Sequence, residues 1–478
     1  MVKNLNYQIP VLIILLLLVA RCGHPAGQVS EFSSVSRIDS GKAFSVMLTA
    51  YSTTLIANGK DQTPLRIAIT DSLSREIISA TDTVHLYVSG DARAYSPEGK
   101  ELVYRKDSSD VEYAICPLKD GVYCLLLRAG KTPGKIKIEA RSGKLWPGSH
   151  EIHTLPESFV NLKPNKNQIP QTNKKIDRMI GADISFLPQL EDRGILFREN
   201  GQETDAISLL RRHGFNYIRL RIFVQPENPK GYAPGKGYCD LFHTLAMAKR
   251  IKNAGMKLLL DFHYSDYWAD PQQQNKPLRW EGMGIEALTD SVKSYTAYVL
   301  QTLKEQGTSA DMVQIGNEIN HGLLWPDGHI SNPDQLALLL KAGTEGAEAV
   351  DPSLPVMMHL ALGGQNKEAV FWLDNMIARG VKFDLIGLSY YPRWHGTLDD
   401  LNKNLRNLAK RYKKPLIIAE YSDFKKEVHD IVFHLPDELG KGACIWEPLN
   451  FWSGLFTRNN EATNRFAIYD SLAIKYLK

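Results

Sequence analysis

The chain has 478 residues, of which 43% are hydrophobic and 23% charged, so it can bury the cores of more than one globular domain. Its formal net charge is only +4, and it has no run of Lys and Arg with interleaved aromatics, which argues against a nucleic-acid-binding protein. After residue 22 no segment approaches the roughly 20 apolar residues of a membrane-spanning helix, so an integral membrane protein is not expected either.

The first segment, residues 1–22, has the features of an export signal. Lys3 gives it a positive start, and Val11 to Ala20 form an apolar run that is too short to cross a bilayer as a helix. Cys22 closes the run, as in a lipoprotein signal whose cysteine becomes lipidated, although Arg21 stands where such signals have a small residue. Lipidation, simple cleavage and an uncut anchor therefore stay open. We expect an exported protein, either periplasmic or tethered through Cys22 as an outer-membrane or cell-surface lipoprotein.

Residues 30–158 predict a small all-β domain. Alternating runs such as Leu65–Ile69 and Val84–Val88 are separated by clusters of turn residues, a pattern typical of a β-sandwich. The stretch from Asp120 to Ala140 resembles immunoglobulin-like modules. It carries no cluster of carboxylates or histidines, so we interpret the domain as a spacer or docking module. Residues 159–175, rich in Asn, Lys, Pro and Gln, predict the linker that follows.

Residues 176–478 show a different pattern, in which apolar runs alternate with amphipathic helical stretches. The predicted strands are Ile180–Ser185, Tyr217–Phe223, Lys257–His263, Met312–Asn317, Val356–Leu362, Leu385–Tyr390, Leu416–Glu420 and Ala443–Trp446. Helical periodicity lies between them, for example at 240–254, 284–305, 333–350, 368–379 and 398–412. This alternation indicates a parallel (β/α)8 TIM barrel, and the Gly-rich phosphate loop of an open doubly wound sheet does not follow the first strand.

Polar side chains stand where several predicted strands end, and TIM barrels carry their active sites at that end. They are Arg219 and Arg221 on the second strand, Asp261 to Asp266 on the third, Asn317 and Glu318 on the fourth, Tyr390 and Tyr391 on the sixth, Glu420 on the seventh, and Trp446 and Glu447 on the eighth. A single polar residue at a strand end could belong to a structural salt bridge. Six around one rim are hard to explain in that way, because burying each of them costs desolvation energy.

Glu318 and Glu420 are lone carboxylates that follow apolar strands on opposite sides of the predicted barrel mouth. Glycoside hydrolysis needs such a pair, one protonated and one ionised, and a retaining mechanism places the two carboxyls about 5–5.5 Å apart. Arg219 would hold Glu420 ionised, whereas Glu318, with less charge compensation, would stay protonated. Asn317, beside the acid, is placed to bond the 2-OH of a sugar.

Longer motifs resemble glycoside hydrolase family 53, the endo-β-1,4-galactanases. The matching segments follow the family's order: Gly181–Ser185, His263–Pro271, Gly316–Pro326, Gly387–Pro392 with Trp394–Gly396, and Trp446–Pro448. They run through residues 179–478, and the longest of them are highly specific, whereas Asn-Glu alone is a weak signal. The resemblance implies hydrolysis of β-1,4-galactosidic bonds in galactan, the type I arabinogalactan side chains of pectin.

The resemblance also implies a role for each matching residue. Glu318 would be the acid/base and Glu420 the nucleophile. The supporting residues would be Arg219 and Tyr390 to orient Glu420, Asn317 on the 2-OH, His263 lining the pocket, Trp446 as a platform under the sugar, and Trp268 with Asp266 shaping the cleft. No cofactor is implied.

Two departures from the family pattern concern the last two strands. The nucleophile segment reads Ala419-Glu420-Tyr421-Ser422, where many members have Glu followed by Thr or a small residue and then an aromatic. The final loop, Leu449 to Asn464, is short. In some members that loop holds a structural calcium ion, but Asn459, Asn460 and Glu461 are too few for a cage of six or more oxygens, so we predict no metal.

Two other functions fit part of the pattern. One is a related barrel glycosidase that acts on another β-glycan, such as mannan or glucan. The other is a surface glycan-binding protein on an inactive barrel, against which the retention of both glutamates together with Arg219, Asn317 and Tyr390 argues. Carbohydrate binding by the N-terminal domain is an open alternative to its spacer role. The expected partner is a polysaccharide, and the expected oligomeric state is a monomer.

Overall fold

The computed structural model describes residues 33–169 and 171–478. The predicted export signal, residues 1–22, lies outside the described residues. Within the described part of the chain, no helix is long and apolar enough to cross a membrane. The chain divides into two compact units, one formed by residues up to 159 together with 392–399, the other by residues 160–391 and 400–478.

The N-terminal unit is built from two six-stranded β-sheets. One sheet contains Arg37–Ile38, Glu76–Ile77, Gln62–Thr70, Val122–Ala129 and Ala92–Tyr95, with Ser45–Ala50 paired to Gln62–Thr70; the other contains Thr54–Ile56, Gly148–Leu155, Gly134–Arg141, Thr83–Ser89, Glu112–Pro117 and Tyr104–Lys106. Alternate residues of both sheets, such as Ile67 and Leu86, share one apolar core. The predicted all-β character of this region is confirmed.

The C-terminal unit is a closed barrel of eight parallel strands. They are β1 (Met179–Asp183), β2 (Tyr217–Ile222), β3 (Lys257–Phe262), β4 (Met312–Ile315), β5 (Val356–Leu360), β6 (Leu385–Tyr390), β7 (Leu416–Tyr421) and β8 (Gly440–Trp446). Every predicted strand is present, with ends that differ by a few residues at most. The predicted (β/α)8 fold is therefore confirmed.

Helices connect these strands: Leu187–Asp192, Ala206–Arg212, Leu241–Asn253, Ile285–Glu305, Pro333–Val350, Asn366–Ala378, Leu398–Tyr412, Lys425–Phe433 and Phe466–Tyr476. Short helical turns occupy Ser33–Ser36, Lys166–Gln168, Leu278–Trp280, Ile319–His321, Pro392–His395, Pro436–Glu438 and Phe451–Ser453. Helix starts follow the usual capping chemistry. The carboxylate of Asp240, for example, accepts a hydrogen bond from the backbone N–H of His243.

The barrel interior changes from apolar to polar along its axis. Near the amino ends of the strands, the inward side chains form an apolar cluster that includes Met179, Leu259 and Met357. Because side chains alternate along a strand, the next inward positions towards the carboxyl ends are two residues further on. Two of these are Asp261 and His359, which are fully buried. The polar layer therefore lies directly beneath the barrel mouth.

The predicted linker, residues 159–175, is attached to the barrel unit over much of its length. The backbone N–H of Leu162 donates to the side chain of Asn375 at 3.1 Å, and Thr172 donates to Asp384 at 2.7 Å. These hydrogen bonds fix the segment, so it packs as part of the second unit rather than as a free connection.

Candidate active site

Glu420 reaches the barrel interior because β7 contains a β-bulge. The register between β6 and β7 shifts so that Ser389 stands opposite Glu420, which leaves Ala419 as an extra residue. A bulge re-aims the side chains that follow it. Ala419 belongs to the apolar interior cluster, and its neighbour Glu420 also points inward, where it contacts Arg219. The bulge thereby places a carboxylate on top of the apolar layer.

Arg219, on β2, is the centre of a buried ion-pair network. Its Nη1 lies 2.9 Å from Asp183 Oδ2 and 2.9 Å from Glu420 Oε1, and its Nη2 lies 2.8 Å from Asp261 Oδ2. All four side chains are buried. The predicted contact between Arg219 and Glu420 is present, and it favours the ionised form of Glu420.

Glu318 stands beyond the end of β4, in a left-handed backbone conformation with φ 49° and ψ 50°. This conformation costs a residue with a Cβ roughly 1–2 kcal/mol, and such strain is concentrated at functional sites. Its Oε1 lies 2.6 Å from the hydroxyl of Ser389. Because Ser389 also stands opposite Glu420, the two glutamates converge at the carboxyl end of β6.

The electrostatic environments of the two glutamates differ. Burial raises the pKa of Glu318 well above its usual range, and the charge of Glu420 raises it further. The pKa of Glu420 is also raised, by burial and by the charges of Asp183 and Asp261, but Arg219 and the hydroxyl of Tyr391 act in the opposite direction. Two carboxyls so close together do not both ionise readily. The arrangement therefore favours one shared proton, held on Glu318.

A hydroxyl that donates to Glu420 belongs to Tyr391, the residue next to the predicted Tyr390. Tyr391 lies 2.9 Å from Glu420 Oε2, and burial raises the pKa of Tyr391 well above its usual range, so it stays a donor. Side chains alternate along a strand, so Tyr391 faces the interior with Ser389 whereas Tyr390 does not. Tyr390 is buried with its ring beside Gly363. Tyr391 is therefore a further candidate for orienting Glu420, and the role predicted for Tyr390 stays a prediction.

A series of hydrogen bonds connects Asn317 and His263 beside the two glutamates. Asn317 Oδ1 accepts from Arg219 Nη2 at 2.9 Å, and its Nδ2 donates to the backbone carbonyl of Ala269, also at 2.9 Å. The backbone N–H of Ala269 donates to His263 Nδ1 at 3.1 Å, and His263 Nε2 lies 3.0 Å from Asp261 Oδ2. Asn317 is thus held firmly beside Glu318, and the predicted bond to a sugar 2-OH stays a prediction.

Three residues outside the predicted set join the site: Ser389, Tyr391 and His359. His359 Nε2 lies 2.9 Å from the Ser389 hydroxyl, and its Nδ1 lies 2.9 Å from Asn317 Oδ1. The sequence of β6 does not mark Ser389 and Tyr391 as inward positions, because its apolar residues Leu385, Ile386 and Leu388 fall on both faces of the strand.

An aromatic cluster lies at the same rim. The ring centroid of Trp446 is 6.3 Å from that of Trp268, 5.6 Å from that of Trp452 and 6.4 Å from that of Tyr391. The guanidinium of Arg221 stacks over Trp268 at 4.0 Å. The structure therefore brings the predicted platform Trp446 and the predicted cleft residue Trp268 to the glutamates, through Tyr391.

Asp266 has a structural position in the same rim. Its carboxylate accepts from the backbone N–H groups of Gln225 and Leu278, both at 2.8 Å, and from the side chain of Asn228 at 2.7 Å. These bonds tie together the loops that follow β2 and β3. Asp266 also lines a cavity of about 420 Å³, next to Trp325. It shapes the cleft by holding loops rather than by presenting a free carboxylate.

Glu447, which follows Trp446, forms an ion pair with Arg221 at 3.3 Å. Burial raises the pKa of Glu447 to about 7. This carboxyl titrates near neutral pH without contacting either Glu318 or Glu420 in a hydrogen bond. It is a separate titrating group at the rim.

The prediction that no metal binds stays a prediction. Across residues 33–169 and 171–478, no group of three or more His, Cys, Asp or Glu side chains is arranged to hold a metal ion. In the final loop, Glu461 accepts a hydrogen bond from the backbone N–H of Gly201 at 2.9 Å. This bond attaches the loop to the hairpin of Phe197–Glu199 and Gln202–Thr204.

Substitution of Arg219 by methionine is expected to destabilise the barrel by about 3–5 kcal/mol. The change leaves Asp183, Asp261 and Glu420 buried without their shared positive partner. Urea denaturation of both proteins measures the difference. Arg250→Met is the control, because Arg250 is a partly exposed ion-pair residue whose loss should cost about 1 kcal/mol or less. Equal stability losses in the two variants would contradict the expectation.

Comparisons with known proteins agree with this geometry. The model of glycosyl hydrolase family 53 matches residues 179–449. An uncharacterised protein from the bgaB 5′ region of Niallia circulans is 40% identical over 312 residues, which are 56% of this chain and 83% of that protein. The arabinogalactan endo-beta-1,4-galactanase A of Aspergillus niger is 37% identical over 270 residues, 54% of this chain and 74% of that protein.

A solved structure supports the same comparison. The GH53 catalytic domain of Ignisphaera aggregans superimposes with a TM-score of 0.58 and 30% sequence identity, covering 65% of this chain and 99% of that one. At 30% identity, the two proteins are similar in sequence as well as in their barrel fold.

Proposed function

Because this chain belongs to glycosyl hydrolase family 53, we propose that it is an endo-β-1,4-galactanase that cleaves galactan with retention of anomeric configuration. The observation that carries the proposal is the pair of glutamates at the end of β6. Glu318 is bound to Ser389 and favours its protonated form, and Glu420 is bound to Arg219 and Tyr391. Retaining glycosidases need one acid and one anionic nucleophile in such proximity.

In the first step, Glu420 attacks the anomeric carbon while Glu318 gives its proton to the departing glycosidic oxygen. The C–O bond to the leaving sugar breaks as the bond to the Glu420 carboxylate forms, which yields a covalent glycosyl-enzyme and a free hydroxyl on the leaving chain. Arg219 and Tyr391 keep Glu420 anionic and aimed before the attack. The hydrogen bonds that hold Asn317 place the Asn317 amide next to the reacting sugar. A hydrogen bond from this amide to the sugar 2-OH would strengthen as positive charge develops on the sugar.

In the second step, Glu318 acts as a base. It takes a proton from a water molecule, whose oxygen attacks the anomeric carbon and displaces Glu420 as a carboxylate. Two inversions give net retention, and Glu318 ends the cycle protonated again. The aromatic cluster around Trp446 provides apolar faces on which sugar rings stack.

The proposed substrate is the β-1,4-galactan of type I arabinogalactan, the side chain of pectin, in keeping with the name of the Aspergillus niger relative. Proton NMR on linear β-1,4-galactan tests linkage, anomeric outcome and endo action together. First products in the β configuration, at mixed chain lengths, support the proposal. First products in the α configuration would refute retention, and exclusive release of monosaccharide would refute endo action.

Reducing-sugar assays on galactan, mannan and glucan test the specificity. Activity on mannan or glucan with none on galactan would favour a related glycosidase of another specificity. Retardation in a galactan affinity gel without any turnover would favour a surface glycan-binding protein.

We further propose that the protein is exported, acts as a monomer and needs no cofactor. The apolar run that ends at Cys22 supports export to the periplasm or the cell surface. Mass spectrometry of the mature N-terminus distinguishes a lipidated Cys22 from simple cleavage or an uncut segment. Light scattering tests whether the protein is a monomer. Activity after chelation with EDTA tests whether the protein needs a metal cofactor.

Substitution of Tyr391 by phenylalanine is expected to lower kcat/KM on galactan about ten-fold, since the lost hydrogen bond goes to a charged group. The Tyr391 hydroxyl lowers the pKa of Glu420, so its removal raises that pKa. Glu420 must be ionised to attack, and the acidic limb of the pH profile should therefore move to higher pH. Tyr390→Phe is the matched control. A larger shift of the acidic limb in Tyr390→Phe than in Tyr391→Phe would show that Tyr390 orients Glu420.

A further inference from the structure

The hydroxyl of Ser389 lies between the acid/base and a buried histidine. It is 2.6 Å from Glu318 Oε1 on one side and 2.9 Å from His359 Nε2 on the other. Ser389 and His359 are both fully buried. A hydroxyl has one hydrogen to donate, so it can donate to only one of these two neighbours at a time.

The orientation of the Asn317 amide fixes the tautomer of His359. Asn317 Oδ1 accepts from Arg219, which can only donate, and Asn317 Nδ2 donates to the carbonyl of Ala269, which can only accept. The amide therefore cannot be flipped. His359 Nδ1, 2.9 Å from Asn317 Oδ1, must be a donor to bond this acceptor.

Two other groups near His359 Nδ1, the side-chain amide of Gln314 and the backbone N–H of Glu318, are donors, and both lie farther from Nδ1 than Asn317 Oδ1 does. Gln314 Nε2 is 3.1 Å away, but its two hydrogens have closer acceptors in Asp261 Oδ1 at 2.6 Å and Gly316 O at 3.0 Å. The backbone N–H of Glu318 is 3.4 Å away, which is the longest of the three contacts. Neutral His359 therefore carries its hydrogen on Nδ1 and offers a lone pair at Nε2.

The direction of the remaining hydrogen bonds follows. The lone pair of His359 Nε2 takes the hydrogen of Ser389, and the Ser389 oxygen is left to accept from Glu318. Oε1 of Glu318 lies 2.6 Å from the Ser389 hydroxyl, a distance that suits an O–H···O bond in either direction, so the direction is decided by His359. A chain of donors thus runs from Glu318 through Ser389 and His359 to Asn317.

We propose that Ser389 is a positioning residue for the acid/base, and that its hydroxyl reverses direction during the reaction. In the resting enzyme, Ser389 donates to His359 and accepts from protonated Glu318. When the glycosidic oxygen takes the proton, the hydroxyl turns and donates to the new Glu318 carboxylate. His359 Nε2 gives up one hydrogen bond in that step. Among Glu318, Ser389 and His359, the only covalent bond that changes is the O–H bond of Glu318, which breaks as the glycosidic oxygen takes the proton and its bond to the anomeric carbon is replaced by the bond to Glu420. The inference rests on the proposed function, because it assigns the acid role to Glu318.

The first test compares substrates that differ in their need for an acid. Ser389→Ala should lower kcat/KM on galactan about ten-fold, because the carboxylate that forms loses a charge-assisted hydrogen bond. On 2,4-dinitrophenyl β-galactobioside, whose leaving group needs no proton, the loss should be less than about two-fold. Ser389→Thr keeps the hydroxyl and should keep the ratio of the two substrates near that of the unchanged enzyme. Equal losses on both substrates in Ser389→Ala would overturn the proposal.

The second test needs no turnover. Nitrogen-15 NMR of the resting protein with labelled histidine should show His359 as the neutral tautomer with hydrogen on Nδ1, identified by the loss of its signals in His359→Gln. A resting His359 with hydrogen on Nε2 would overturn the proposal whatever the substrate is. If the unchanged enzyme fails to cleave galactan, the proposed function fails, while this measurement still decides the hydrogen-bond direction.

Discussion

Replacement of Glu420 by alanine is expected to reduce kcat on galactan by about 10⁵-fold, as the loss of a covalent nucleophile does in other enzymes. The substitution removes the carboxylate that contacts Arg219 and Tyr391, and no other carboxylate takes its position on β7. Binding of galactan should persist, because the aromatic cluster around Trp446 is untouched. Affinity gel electrophoresis measures binding, and a reducing-sugar assay measures turnover.

Azide tests whether Glu420 is the nucleophile. In Glu420→Ala the small anion can occupy the vacated volume and attack the anomeric carbon once, so the product should be an α-galactosyl azide. Glu420→Gln is the control, because its amide fills the volume and should block the rescue. A β-galactosyl azide, or substantial turnover without azide, would show that another group attacks the sugar.

Glu318→Gln is expected to lower kcat/KM on galactan about 10³-fold, within the usual range for loss of a general acid. Glu318 acts in its protonated form, and burial and the charge of Glu420 hold its pKa well above the usual range. Loss of that proton at high pH should produce the alkaline limb of the kcat/KM profile. The limb should disappear in Glu318→Gln, because glutamine cannot titrate.

Glu447→Gln is the matched control for this assignment. The pKa of Glu447 is raised to about 7, so its titration could produce an alkaline limb of its own. Glu447 is held by Arg221 and makes no hydrogen bond to Glu318, so the limb should persist in Glu447→Gln. Disappearance of the limb in this variant, and its persistence in Glu318→Gln, would reassign the proton donor.

The fold could be predicted from the sequence because its elements are strongly periodic. Leu385–Tyr390 and Pro333–Val350 have the bounds in the structure that their patterns indicate. Strand ends elsewhere were less accurate, since polar residues such as Asn317 continue the apparent strand beyond its last ladder hydrogen bond. The family resemblance is confirmed by the match over residues 179–449.

The site was predictable where a strand end carries a single candidate, as with Glu318, whereas on β2 the choice of Arg219 over Arg221 rested on the family resemblance. Two features needed coordinates. The bulge at Ala419 brings Glu420 inward although plain alternation would turn it outward, and no residue type marks it. The direction of Tyr391 is the second, because Leu385 and Ile386 are both buried and apolar, so alternation along β6 does not show from sequence which face is the interior.

The alternation along β6 has a consequence for engineering. Ser389 contacts Glu318, the proposed proton donor, and Tyr391 contacts Glu420, the proposed nucleophile. In the proposed mechanism, the alkaline and acidic limits of the pH range of activity therefore depend on separate positions on one strand. Substitution libraries at 389 and 391 should broaden, narrow or displace that range from either side while both glutamates stay in place.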